Sequence, residues 1–128
     1  LEQEMTRPEG LTTDAKVEAY NACNHVFHGL LKEMRELSKK KADATLSKGK
    51  VKILNRVLDD VRDALGDEPE AKYLDPLDDE DLPQNSDAVL VMVQYESALS
   101  AFRRRYYESW VSGLGDDIWY TEERFGEG

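Results

Sequence analysis

The sequence predicts an all-α protein: an antiparallel three-helix bundle with a long acidic loop between helices 2 and 3 and a short C-terminal segment. Three segments repeat apolar residues at alternating steps of three and four, which places them on one helix face. Capping residues, glycines and prolines separate these segments. Because 128 residues suit a single domain, we expect one helical domain over 12–128 after a polar lead-in over 1–11.

The first helix is predicted over 12–40, with Thr12 or Thr13 as N-cap. Its apolar stripe comprises Tyr20, Cys23, Phe27, Leu30, Met34 and Leu37, widened by Val26 and Leu31. Cys23 is the only cysteine, so an internal disulfide is excluded. Its place in the stripe predicts a small buried hydrophobic residue.

The second helix is predicted over 48–65, capped by Ser47. Its face comprises Val51, Leu54, Leu58, Val61 and Leu65, flanked by Ile53 and Val57. Gly66 stands where a residue of left-handed conformation often ends a helix, and Pro69 follows.

The connection over 67–85 contains three prolines and eight acids against one lysine. A loop of this length is unusual inside a compact domain. We expect it to be partly ordered, with one short helical turn. The apolar residues expected to hold it against the bundle are Tyr73, Leu74, Leu77 and Leu82.

The third helix is predicted over 87–112, with Ser86 as N-cap and Gly113 and Gly115 after its end. Its stripe comprises Ala88, Met92, Tyr95, Leu99, Phe102, Tyr106 and Trp110. The remaining segment, 116–128, carries apolar residues among acids and is predicted to pack as a short segment. These residues are Ile118, Trp119, Tyr120 and Phe125.

The first two turns of the third helix carry more apolar residues than one core face requires. Leu90 and Val93 point away from the stripe, and Val89 lies at its side. Either the acidic loop or the C-terminal segment covers this side, or it is an interface with a partner or a second copy. The sequence therefore favours a non-enzymatic protein–protein interaction or assembly domain, with Val89, Leu90 and Val93 as candidate contact residues.

A nucleic-acid-associated module is the alternative. Its anion-binding residues would be Lys48, Lys50, Lys52, Arg103, Arg104 and Arg105. In an up-down-up bundle the first loop and the end of the third helix reach the same end of the molecule. The net charge of −10 argues against nucleic-acid binding by the whole surface, because phosphate affinity comes largely from Lys and Arg. A further alternative makes the acidic loop a decoy that imitates DNA.

A helical enzyme ranks last, since the sequence contains no phosphate-binding glycine loop and no metalloprotease or hydrolase motif. His25 and His28 are weak metal candidates, because they stand three residues apart but Lys32, not a carboxylate, shares their face. We expect no cofactor. No apolar run approaches the roughly 20 residues that span a bilayer, so no membrane contact is expected. The single cysteine favours a reducing, cytoplasmic location.

Overall fold

A computed structural model describes residues 10–108 and 118–126 of the chain. Its elements are, in order, α1 (Asp14–Lys40), α2 (Lys48–Leu65), a 3₁₀ turn (Pro69–Tyr73), α3 (Asn85–Tyr106), β1 (Tyr107–Glu108), β2 (Ile118–Trp119) and α4 (Glu122–Phe125). The three long helices contact one another around a single apolar core, so the predicted all-α three-helix bundle is confirmed.

The helix ends follow from the capping residues. Thr13 accepts a hydrogen bond from the Lys16 N–H at the start of α1, and Ser47 accepts one from the Lys50 N–H at the start of α2. Gly66 ends α2 with a φ of 56°, a region that favours glycine because it has no Cβ. The predicted bounds of the first two helices are therefore confirmed to within two residues.

The direction of α3 differs from an up-down-up order. Tyr20 stacks on Phe102 and Phe27 on Tyr95, so α3 runs antiparallel to α1. Its first turn lies at the first loop, where the Asn85 amide donates to the Lys41 carbonyl at 2.8 Å. Helix α2 also begins at this loop, so α2 and α3 run parallel, and the connection over 66–84 returns along the bundle between them.

Both predicted ends of the third helix need correction. The helix begins at Asn85, because the N–H groups of Asn85 and Ser86 donate to the carbonyls of Ala44 and Ala42 in the first loop, so Ser86 is not the N-cap. The helix ends at Tyr106 and not at residue 112, because the next two residues are extended and pair with β2. Residues 109–112, with Trp110 of the predicted stripe, lie outside the described residues.

The connection contains the expected short helical turn and is held by specific bonds. The Asn55 side chain exchanges two hydrogen bonds with the backbone of Leu77, at 2.9 and 2.8 Å. The Tyr95 hydroxyl donates to the Asp75 carbonyl at 2.7 Å. Leu74 and Leu77 are buried in the core and Leu82 packs beside it. Tyr73 does not contribute as predicted: its ring is 65% exposed, since the turn points it outward.

The described part of the C-terminal segment is packed, as predicted, and its contact is with the start of α1, which the sequence did not indicate. β1 and β2 form an antiparallel pair in which Tyr107 lies opposite Trp119. Thr12 pairs with Thr121 and donates its N–H to the Tyr120 carbonyl at 3.0 Å. Tyr120 is buried. The segment thus covers the end of the bundle where α1 begins and α3 ends.

Candidate functional site

The surface predicted from the third helix is small. Leu90 is 64% exposed, so neither the connection nor the described C-terminal residues cover it. Val93 is half-buried, and Val89 packs against the core. Within the described residues this surface therefore offers one fully outward apolar side chain, at the end of the bundle where α3 begins.

A second apolar surface lies between α1 and α2, on the side away from α3. We call it the α1–α2 face. On α1 it consists of the exposed residues Ala19, Ala22, Val26 and Gly29; on α2 it consists of the exposed Ile53, the half-buried Val57 and the buried Ala64. A shallow groove of about 330 Å³ lies between the helices, reaches Cys23 and is also lined by Asp60 and Asp63, whereas Ile53 lies outside it. Val26 and Ile53 are 48% and 53% exposed. From the sequence, only Val26, Ile53 and Val57 were indicated, as residues that flank the core stripes.

The outer side of α2, beside this face, is divided by charge. Lys52 and Arg56 occupy its first half, and Asp60 and Asp63 occupy its second half. None of these four side chains forms an ion pair with another residue of the described ranges. Lys52 and Arg56 are like charges four residues apart, and Asp60 and Asp63 are like charges three residues apart, so each pair repels on the helix surface. Helix α2 therefore carries two like-charged pairs that do not favour its own folding.

The six basic residues proposed for nucleic acid do not form one patch. Lys48, Lys50 and Lys52 lie at the first-loop end of the bundle, and Arg103–Arg105 lie at the opposite end, because α3 runs parallel to α2. The 22 residues of α3 span about 33 Å, which separates the two groups. The combined site suggested by an up-down-up order is therefore wrong.

Arg105 has a structural role that its two neighbours do not share. Its guanidinium bonds to Glu68 Oε1 at 2.6 Å and to Glu70 Oε2 at 2.5 Å. The Glu68 carboxylate is buried, and it also accepts hydrogen bonds from the Tyr106 hydroxyl at 3.0 and 3.1 Å and from Lys16 Nζ at 3.1 Å. We call these residues the Glu68 network. It joins α1, the connection and α3 at one point.

The network shifts the acidity of its members. The hydrogen bond from Arg105 lowers the pKa of Glu70. Burial raises the pKa of the Tyr106 phenol, and the Glu68 charge raises it further. Burial lowers the pKa of Lys16, but its bonds to Glu68 and Asp67 outweigh that effect and the net shift is upward. All three shifts favour the protonation states that keep the network bonded near neutral pH.

Arg103 and Arg104 lie instead along a cleft of about 760 Å³ between α1 and the last turns of α3, which we call the arginine cleft. Its polar lining comprises Asn21, Asn24, His28, Ser100, Arg103 and Arg104, and its aromatic lining comprises Tyr20, Tyr107 and Trp119. No carboxylate of the described residues lines it. Burial raises the pKa of the Tyr20 phenol here, partly offset by the Arg103 charge.

The two histidines lie apart from any set of metal ligands. His25 is exposed. His28 has its Nδ1 2.9 Å from the Asn24 carbonyl oxygen and its Nε2 3.8 Å from a Glu96 carboxylate oxygen. Over residues 10–108 and 118–126, no group of three or more His, Cys, Asp or Glu side chains could hold a metal ion. Within the same ranges, no helix is long and apolar enough to cross a membrane.

Comparison with known proteins adds no likeness from which a function could be carried over: no family model matches the chain, and no curated protein and no solved structure is significantly similar to it. Two surfaces, the α1–α2 face and the arginine cleft, thus remain as the candidate functional sites. The sequence had indicated Val26, Ile53 and Val57, which belong to the α1–α2 face. It had also indicated Arg103 and Arg104, which belong to the arginine cleft. It did not show which helices would bring these residues together.

Proposed function

We propose that the chain is a non-enzymatic protein–protein interaction domain that assembles through the α1–α2 face, with a second copy of itself as the partner. The observation that carries this proposal is the row of exposed small and apolar residues on α1 beside Ile53 of α2, with Val26 and Ile53 about half exposed. Small and β-branched residues allow a second helical surface to approach closely and exclude water.

The charges of α2 support a second copy as the partner. A two-fold axis perpendicular to α2 sets two copies of the helix antiparallel, so that each surface faces the same surface of the other copy. Lys52 and Arg56 of one chain then face Asp63 and Asp60 of the other. Charges that are unpaired in the single chain become paired in the dimer, and complementary charges also set the register.

This arrangement also accounts for the unfavourable charge order of α2. Like charges three or four residues apart cost a few tenths of a kcal/mol in one chain. The antiparallel partner helix supplies the opposite charges to both halves of α2. The charge order therefore contributes to association and not to the stability of the single chain.

The proposal is tested by sedimentation equilibrium over a wide range of protein concentration. Wild-type protein should move from monomer to dimer as concentration rises, and Val26→Lys should stay monomeric while keeping its helical circular dichroism. Leu90→Ser with Val93→Ser is the matched control, because it removes exposed apolar area on α3 only. A wild-type chain that stays monomeric throughout overturns the proposal; loss of the dimer in the control variant alone moves the contact to the α3 surface.

A charge exchange tests the two-fold pairing itself. Arg56→Asp alone and Asp60→Arg alone should each weaken the dimer about tenfold, the size of a moderate charge coupling across an interface. The double variant should dimerise like wild type, since its exchanged charges again face each other. A mixture of the double variant with wild type should form no mixed dimer. Mixed dimers as abundant as the parent dimers would contradict this geometry.

The proposal also includes a cytoplasmic location, for which the free thiol of Cys23 is suited. The thiol is buried, and burial raises its pKa, so little of the reactive thiolate forms near neutral pH.

A further inference from the structure

The arginine cleft differs from the remainder of this acidic protein in its charge. The chain carries a net charge of −10, yet the described residues place two guanidinium groups and no carboxylate on the cleft wall. At the rim, a Glu96 carboxylate oxygen lies 3.8 Å from His28 Nε2, and this carboxylate is also bound by Arg35 at 3.1 Å. The cleft therefore presents positive charge to a ligand without a competing anion on its described walls.

The two arginines of the cleft have hydrogen-bonding capacity to spare. Arg105 is paired with two carboxylates, whereas Arg103 and Arg104 form no ion pair within the described residues. Each guanidinium carries five N–H donors in a planar fork that matches the oxygens of a phosphate group. Both guanidinium groups line the same cleft, so two cations stand at one site.

Aromatic packing holds one of these forks in place. The Arg103 guanidinium carbon lies 4.2 Å from the centroid of the Tyr107 ring, and that ring packs against Trp119 with a centroid distance of 4.9 Å. Trp119 in turn contacts Tyr20 and Phe102 of the core. Such a cation–π contact leaves the N–H edges of the guanidinium free. A preorganised donor binds with a smaller loss of conformational entropy.

The opposite wall supplies polar groups for the organic part of a ligand. Asn21 and Asn24 present carboxamides one helical turn apart on α1, and Ser100 presents a hydroxyl on α3. The Asn24 side-chain oxygen is buried and accepts no hydrogen bond from the protein. A buried polar atom without a partner costs free energy, so a ligand donor at this position would be favoured.

We propose that the arginine cleft binds a small phosphomonoester. Its phosphate contacts Arg103 and Arg104, and its organic part lies toward Asn21 and Asn24. The volume of about 760 Å³ falls within the range of small-molecule sites. A nucleic-acid strand fits less well, because its affinity depends on many cationic contacts along the backbone and the cleft provides two. This site lies between α1 and α3, so it is independent of the proposed dimer.

The proposal is tested by titrating ¹⁵N-labelled wild-type protein with inorganic phosphate, adenosine 5′-monophosphate, ribose 5-phosphate and adenosine at low ionic strength. Saturable shifts of the amide signals of Asn21, Asn24 and Arg103 are expected with the phosphorylated probes and not with adenosine. Tighter binding of either ester than of inorganic phosphate identifies contacts to the organic part and distinguishes a base from a sugar. Equal affinities for all phosphorylated probes would overturn the part of the proposal that concerns Asn21 and Asn24.

Charge-neutral variants test the arginines. Arg103→Gln and Arg104→Gln should each weaken binding at least about tenfold, as expected for the loss of charge-assisted hydrogen bonds. Lys50→Gln is the matched control, because it changes the net charge equally at the other end of the bundle, outside the proposed dimer contact, and it should bind like wild type. Unchanged melting temperatures verify the fold. Absence of saturable binding by any probe, or an equal loss in the Lys50 variant, overturns the site.

Discussion

Replacing Glu68 by alanine should destabilise the chain more than replacing any other acid of the connection. The carboxylate is 6% exposed and has three donors, namely Arg105, Tyr106 and Lys16. Removing this carboxylate leaves the buried Tyr106 hydroxyl without its acceptor. It also leaves Arg105 and Lys16 with one carboxylate partner each instead of two. The variant therefore disrupts a buried network, a mechanism that gives large losses in stability.

The structure sets the magnitude. The bond from Tyr106 to a charged acceptor contributes about 1.5 kcal/mol. Arg105 and Lys16 are 32% and 25% exposed and keep Glu70 and Asp67 as partners, so each loses about 0.7 kcal/mol, half the usual value for a bond to a charged group. Glu68→Ala should thus lower the free energy of unfolding by about 3 kcal/mol.

Urea unfolding followed by far-ultraviolet circular dichroism measures this loss. Asp79→Ala, which removes an exposed acid of the same connection, should change the free energy of unfolding by less than about 0.5 kcal/mol. Tyr106→Phe should cost less in the Glu68→Ala background than in wild type, because the two side chains share a hydrogen bond. Equal losses in the Glu68 and Asp79 variants would refute the network as a source of stability.

Three further predictions concern the connection and the ion pair beside it. Tyr95→Phe removes the hydroxyl that bridges Arg62 to the connection and should cost about 1–2 kcal/mol by urea unfolding; an unchanged midpoint would show that the bridge does not hold the connection. Asn55→Ala leaves both backbone groups of Leu77 without their partner, and limited proteolysis should then cut the connection faster than in wild type; equal rates would contradict this role. Glu70 accepts a hydrogen bond from Arg105, which lowers the pKa of the Glu70 carboxyl. This ion pair therefore stabilises the chain fully above the unfolded carboxyl pKa of about 4.3, and the stabilisation is lost as pH falls through the lower pKa of the folded state. Glu70→Gln should therefore be about 1 kcal/mol less stable near neutral pH, with the difference closing in acid; a constant difference would contradict the assignment.

The sequence predicted the helices well because their signals are local. Thr13, Ser47 and Gly66 each act within one helical turn, so their positions alone indicate where α1 and α2 begin or end. The ends of α3 depend on partners distant in the chain. Ala44 accepts from its first residue, and Trp119 lies opposite the residue that follows its last one. The residues of the third helix alone therefore do not indicate where it begins and ends.

The candidate sites could be predicted only in part for the same reason. Arg103, Arg104 and Arg105 are equivalent as a sequence motif, yet one of them closes the Glu68 network and two line the cleft. In the sequence, Glu68 cannot be distinguished from the other seven acids of the connection. Its burial follows from the way the connection passes the end of α3, which is a property of the tertiary fold. Its place two residues after Gly66, close to the end of α2, was the only local sign that it stays close to the bundle.

The parallel course of α2 and α3 has a consequence for the order of folding. Helices α1 and α2 are joined by a short loop, so their contacts are local and close at little entropic cost. Docking of α3 requires the whole connection to be laid along the bundle, and we expect this to follow the transition state. Glu68→Ala should then accelerate unfolding and leave the refolding rate nearly unchanged in stopped-flow experiments, whereas a slower refolding rate would place α3 in the nucleus. Before α3 docks, the first two helices would expose the stripe that it covers, so the last helix to arrive also shields the chain from aggregation.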